Sequence, residues 1–321
     1  MGLAHDTATG DGRELARILG DYRTGRPGPT VVVLGGVHGN EPAGTVAARH
    51  VLAELEARRP PACGRLVAVT GNRAALARGQ RFVDRDLNRR WFEHGVAALR
   101  RRDPAADGVE DREQRELVEV IDRIVSESDR PVVFVDLHSA SSQGPPFACM
   151  ADTLDNRRIA LALPLPVILG LEEVIDGSLL GYLSDLGHCG VAVEGGPHAG
   201  KETVTRHVAA IWLVLVATGL LAEDALEELP AQRARLRQAS RALPRFLEVR
   251  HRHAVAPGDG FVMEPGHVSF QPVAARQVVA TDSHGPVVVP ESGRILLPRY
   301  QGQGEDGFFF ARAVKGSAAI W

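Results

Sequence analysis

His38 and Glu41, in the run Gly35-Gly36-Val37-His38-Gly39-Asn40-Glu41-Pro42, have the types and spacing of a metal-ligand pair. A histidine and a glutamate three positions apart can close on one ion when a short glycine-rich turn opens into a helix, because both side chains then point into the same cleft. An imidazole nitrogen with a carboxylate oxygen suits zinc. A catalytic zinc takes three protein ligands and keeps a fourth position for water. His138, in Val135-Asp136-Leu137-His138-Ser139, is the candidate third ligand. Glu194, followed by Gly195-Gly196-Pro197-His198-Ala199-Gly200, need not touch the metal. Zinc lowers the pKa of a bound water to about 7, and a nearby carboxylate can take its proton and deliver it to a departing amine.

Each residue alone has a plainer explanation. A histidine after a strand is more often a hydrogen-bonded loop residue, and a strand-end glutamate often pairs with a surface arginine. The complete set, with every member at a strand end, is what a zinc hydrolase requires. A second cluster, Arg81-Phe82-Val83-Asp84-Arg85-Asp86-Leu87-Asn88-Arg89-Arg90, could be a solvated charged face. An amide hydrolase, however, needs a cation where the oxyanion grows and a donor fork for a substrate carboxylate, and arginine supplies both.

The elements that must position these groups follow from hydropathy patterning. Short β-branched runs at Thr30 to Leu34, Leu66 to Val69, Val132 to Val135, Pro166 to Leu169 and Val191 to Val193 read as strands. Helices are predicted over Ala43 to Glu56, Val109 to Ser126 and Lys201 to Leu221. The alternation predicts an α/β fold, a mixed, largely parallel sheet flanked by helices. In such sheets ligands sit outside the carboxyl ends of the strands, so parallel neighbours would bring His38, His138 and Glu194 to one edge. The segment from Glu223 to Arg250, rich in Arg, Glu and Ala, reads as a helical connector. Turn signals beyond it, such as Pro257-Gly258-Asp259-Gly260, bound short runs at Val287 to Val289 and Ile295 to Leu297 and predict a small C-terminal β domain. The expected division is 1–222 for the catalytic domain and 223–321 for the connector and a β domain capping the cleft.

Composition narrows the function classes. With Lys plus Arg at 37 and Asp plus Glu at 40, the net charge of -3 gives no broad attraction to nucleic acid or an acidic membrane. The three cysteines, Cys63, Cys149 and Cys189, lack the spacing of a thiolate zinc site or a disulfide framework, so a reducing cytoplasm is expected. The polar stretch Met1 to Asp11 reads as a loose tail, not a secretory signal. The most apolar stretch, Ala209 to Ala222, is shorter than the roughly 20 residues that span a bilayer and reads as a buried helix.

From Thr30 to about Leu221 the sequence resembles the succinylglutamate desuccinylase/aspartoacylase family, a branch of the zinc carboxypeptidase superfamily. The resemblance rests on four motifs in order: Gly-Val-His38-Gly-Asn-Glu41-Pro, Asp86-Leu-Asn88-Arg89 preceded by Arg81, Asp136-Leu-His138-Ser, and Val193-Glu194-Gly-Gly-Pro. It implies one zinc ion on His38, Glu41 and His138, with Glu194 as the catalytic carboxylate. It further implies that Arg81 polarises the scissile carbonyl and that Asn88 and Arg89 grip a substrate carboxylate. Asp86 would orient a zinc histidine by accepting its free ring N–H. A tyrosine of the C-terminal domain contributes to substrate binding in such enzymes, and Tyr300 is the candidate here. Aspartoacylases also carry an arginine shortly before the catalytic glutamate, whereas Ile159 to Val193 contains neither Arg nor Lys, which argues against N-acetylaspartate.

These readings lead to a zinc-dependent amidohydrolase acting on a small N-acyl amino acid. A zinc carboxypeptidase acting on short peptides is the enzymatic alternative, and a non-catalytic zinc- or carboxylate-binding module is the alternative of another class. A homo-oligomer is compatible with the sequence and not specified by it.

Overall fold

The computed structural model describes residues 15–314; the tail at Met1 to Asp11 lies outside them. The chain begins with β1 (Ile18–Arg23) and β2 (Thr30–Gly35), followed by α1 (Ala43–Arg58) and β3 (Arg65–Thr70). Three helices, α2 (Arg73–Arg78), α3 (Glu93–Arg101) and α4 (Val109–Ser126), lead to β4 (Val133–Ala140) and the short β5 (Phe147–Cys149). Next come α5 (Leu154–Ala162), β6 (Val167–Leu169), α6 (Leu179–Asp185), β7 (Cys189–Pro197) and α7 (Thr203–Ala217). The C-terminal part holds α8 (Leu229–Ser240), β8 (Phe246–Ala254), β9 (Val262–Met263), β10 (Pro272–Val273), β11 (Val278–Asp282), β12 (Gly285–Val288), β13 (Gly293–Leu296) and β14 (Asp306–Ala313).

One sheet of 11 strands runs in the order β1-β3-β2-β4-β7-β5-β6-β8-β14-β13-β10, and a second of three in the order β12-β11-β9. The pairs β3/β2, β2/β4 and β4/β7 are parallel, whereas β5 runs antiparallel to β7. Alternation along each strand divides the core between the sheet's two faces. Val31, Val33, Val135, Leu137, Val191 and Val193 pack on the side of α1 and α7. Val32, Leu34, Val67, Val69 and Phe134 pack on the side of α4 and α6. Because helices cover both faces, these strands are buried throughout, which explains their unbroken apolar runs.

The predicted fold class is the one observed, a mixed and largely parallel sheet between helices with a small second sheet in the C-terminal part. Details differ. β4 and β7 are longer than their apolar runs, so His138 and Glu194 lie within the last residues of the strands and not after them. The helix expected over Lys201 to Leu221 is confined to Thr203–Ala217. The connector contains α8 but ends early, because β8 begins at Phe246 and joins the main sheet beside β6. The 11-stranded sheet therefore continues through the C-terminal part. Among the described residues no helix is long and apolar enough to cross a membrane.

Candidate metal centre and its cleft

The central parallel strands bring the four motifs together. β2 leads through Gly36, at φ 69, into the turn that carries His38, and a side chain at this backbone angle would be strained. A Cβ at Gly39 would lie 2.1 Å from the Ala75 carbonyl carbon, so the turn can press against α2 only with glycine there. On the neighbouring strands the register sets His138 of β4 directly beside Glu194 of β7.

His38, Glu41 and His138 are all buried, and one ligand atom from each lies within 4.8 Å of the others. Both imidazoles present Nδ1 to the same carboxylate: His38 Nδ1 is 3.0 Å from Glu41 Oε1, and His138 Nδ1 is 3.0 Å from Oε2. The Ser139 N–H donates to Oε2 at 2.9 Å. Behind the rings, Asp136 Oδ2 lies 2.9 Å from His138 Nε2, and Asp86 Oδ1 lies 3.4 Å from His38 Nε2. Two imidazoles backed by carboxylates and converging on a third carboxylate form a donor set suited to zinc. Burial opposes charge on Glu41, yet His38 and His138 hold its pKa well below the ordinary range. For His138, burial is likewise overcome by Asp136 and Glu41, which raise its pKa well above normal. A buried cluster that demands positive charge this strongly fits a divalent cation.

Glu194 stands beside this centre with Oε2 buried and without a hydrogen-bond partner. Burial and the Glu41 charge push its pKa up to about 8, against the opposing pull of His138 and Arg81. Arg81 donates from Nε to Asp86 Oδ2 at 2.8 Å, and its Nη1 lies 3.9 Å from Glu41 Oε1. Asn88 accepts from the Leu179 N–H through Oδ1, and Arg89 Nη2 pairs with Asp306 at 2.5 Å. Arg81, Asn88, Arg89 and Glu194 all line one open cleft with the three candidate ligands.

Tyr300 is not brought to this cleft. It is 40% exposed, and its hydroxyl donates to the Glu264 carbonyl while accepting from the His267 N–H. The cleft residue at this point is its neighbour Arg299, which donates to the Gly304 carbonyl and lies over the Phe261 ring. Among the described residues, no carboxylate lies within ion-pair distance of Arg299.

Other contributors carry weak sequence signals. Glu110, in the first turn of α4, is buried and accepts from the N–H groups of Val83, Asp84 and Arg85 and from Asn72 Nδ2. It thereby fixes the backbone that presents Arg81 and Asn88. The 299–306 loop reaches the motifs through Gln301, which accepts from Asn40 Nδ2 at 2.8 Å and lies 3.1 Å from His198 Nε2. Gln303 accepts from the Arg81 N–H and donates to the Phe82 carbonyl. An acid opening a helix and a glycine-rich Gln-Gly-Gln-Gly run were the available signals, and neither indicates a partner.

The succinylglutamate desuccinylase/aspartoacylase catalytic-domain model matches residues 27–218. The chain belongs to this family. The match contains every motif residue of the centre, from His38 to Glu194. A relative from Xenopus laevis, N-acyl-aromatic-L-amino acid amidohydrolase (carboxylate-forming), is 28% identical over 205 residues. That similarity spans 60% of this chain and 63% of the relative, less than two thirds of its length. Among solved family structures, succinylglutamatedesuccinylase/aspartoacylase from Rhodobacter sphaeroides has a TM-score of 0.63 at 21% identity, covering 90% of this chain and 87% of its own. The product-bound ectoine utilization protein from Ruegeria pomeroyi has a TM-score of 0.62 at 20% identity, covering 89% and 85%. At these identities the structures establish a shared fold, here extending well beyond the catalytic-domain match.

Proposed function

We propose that this protein is a zinc-dependent amidohydrolase that removes the acyl group from a small N-acyl amino acid or a related carboxylate-bearing amide. The observation that carries this reading is the convergence of His38 Nδ1, Glu41 and His138 Nδ1 beside the buried, unpartnered Oε2 of Glu194. His38, Glu41 and His138 would hold the ion, with Asp136 and Asp86 fixing the two rings from behind. Bound there, zinc supplies a Lewis acid that acidifies water and polarises a carbonyl.

Glu194 takes a proton from water as its oxygen bonds to the acyl carbon. It then delivers that proton to the nitrogen as the C–N bond breaks, giving a carboxylic acid and a free amine. A carboxylate that begins each cycle ionised and serves twice as proton carrier needs a raised pKa. Burial gives Glu194 this property, and a nearby cation moderates it. Arg81, held at Nε by Asp86, has its Nη groups left to face the carbonyl oxygen as negative charge develops. Asn88 uses Oδ1 on the Leu179 N–H, so its Nδ2 remains to donate to a substrate carboxylate. Arg89 joins it, sharing its charge with Asp306, and Arg299 adds a second cation at this end of the cleft. The name of the amphibian relative and the family membership support an N-acyl amino acid as substrate.

The test is hydrolysis of a panel of N-acyl amino acids and short peptides by the zinc-loaded protein and by Glu194→Gln. The variant should keep its metal and lose about 10²- to 10⁴-fold in kcat, the usual contribution of a positioned acid–base group. Unchanged turnover would remove Glu194 from the mechanism. Preferential cleavage of peptides would move the protein to the carboxypeptidase alternative.

A further inference from the structure

One acid of the cleft has no part in this chemistry. Glu172 follows β6 and lines the cleft together with Leu171 and Ile175. Its Oε2 is buried without a hydrogen-bond partner, and no described lysine, arginine or histidine forms an ion pair with it. The other acids of the cleft are engaged. Glu41 faces two imidazoles, Asp136 faces His138, Asp306 bridges Arg89 and Arg252, and Glu194 is assigned to proton transfer.

Its placement separates it from the arginine end. Glu172 and Glu194 both lie close enough to the Cys149 thiol to raise its pKa, after burial, whereas Arg299 lies within electrostatic reach of Asp306 and Arg81. The cleft wall near Glu172 is apolar, formed by Met150, Leu171, Ile175, Leu180 and Phe309. An alkyl chain fits such a wall, and a carboxylate with a free buried oxygen calls for a donor at the end of that chain. Without one the acid is destabilised: burial, with the Glu173 and Asp152 carboxylates nearby, pushes its pKa up to about 7 against its own and the Asp152 backbone N–H groups.

We infer that Glu172 is a specificity residue that receives a cationic amino group of the substrate, so that the favoured substrates are N-acylated diamino acids. Their carboxylate faces Arg89 and Arg299, their alkyl chain lies along the apolar wall, and their ammonium meets Glu172. This inference rests on the deacylase reading above.

The experiment compares Nα-acetylornithine with Nα-acetylnorleucine, in which a methyl replaces the ammonium, on zinc-loaded wild-type, Glu172→Gln and Glu172→Met protein. Calorimetric binding of free ornithine and norleucine is measured beside it. Wild type should favour the ornithine compound at least about tenfold in kcat/KM. Glu172→Gln should lose about 10- to 100-fold on that compound alone, since hydrogen bonds to charged groups contribute about 1.5–3 kcal/mol. Equal handling of the two compounds by wild type, or a loss in the variants that is equal on both compounds, overturns the assignment while leaving deacylation intact. If neither compound nor any other N-acyl amino acid is hydrolysed, the deacylase reading fails, and calorimetry decides on Glu172 alone. Tighter binding of ornithine that is lost in Glu172→Gln keeps the cation site; equal binding ends it.

Discussion

His207 shows how a single buried group can stabilise the centre without touching a substrate. It is wholly buried on α7, and its Nε2 lies 2.9 Å from the carbonyl oxygen of His138, so the neutral ring that donates there fixes the backbone of a candidate ligand. Burial depresses its pKa from 6.5 to about 4. The unfolded chain therefore binds a proton that the folded chain refuses between about pH 6.5 and 4. The stability from a neutral His207 is fully present above the unfolded value and is lost as pH falls through that window, by about 3 kcal/mol. Thermal unfolding from pH 7 to 4 should show a steeper loss in wild type than in His207→Gln. Parallel curves would show that His207 does not titrate as described. The same scale shows what residue types alone reveal. His38, Glu41, His138 and Glu194 stand out in the sequence because their chemistry is distinctive and each follows closely on an apolar run. The family resemblance implies a tyrosine from the C-terminal part, but residue type does not say which way a loop turns, and Arg299 lines the cleft in place of Tyr300.

Among the elements, α4 does more than cover the sheet. Its first turn places Glu110 under the 83–85 backbone, where a buried carboxylate gathers N–H groups that would otherwise lack partners. Glu110→Ala strands these donors, and each buried unsatisfied group costs about 1–3 kcal/mol. Denaturant unfolding should show a loss of at least about 3 kcal/mol, with a fall in kcat/KM because Arg81 and Asn88 lose their fixed backbone. A change within about 0.5 kcal/mol, as for an ordinary surface site, would count against that role. The length of an element decided how legible it was. The amphipathic period of Val109–Ser126 gives both ends of α4, and the β-branched runs of β2 and β3 give a buried parallel pair. The three residues of β5 hold no period to read and become a strand only by pairing with β7 and β6, whereas the apolar run Pro166 to Leu169 does mark β6. β8 alternates buried Leu247 and Val249 with exposed Glu248 and Arg250, so its charges gave it the look of a connector.

Over the whole molecule, the site is an agreement between parts distant in the chain. The main sheet carries β2, β4 and β7 side by side and continues through β8, β14, β13 and β10, whose strands frame the loop that brings Arg299 and Gln301 to the cleft. Asp306 joins Arg89 of the N-terminal half to Arg252 of the C-terminal half. Such long-range pairs leave no periodic trace, which is why the motif half of the site could be read and the half supplied by 299–306 could not. In the proposed function, two imidazoles and one carboxylate, brought together by separate strands, would hold a single ion. Metal content measured on wild type and His138→Ala after zinc loading and desalting tests it directly. One zinc per chain is expected in wild type, with loss of nearly all of it in a variant that remains folded. Wild type that retains no zinc, or His138→Ala that retains a full equivalent, would contradict it.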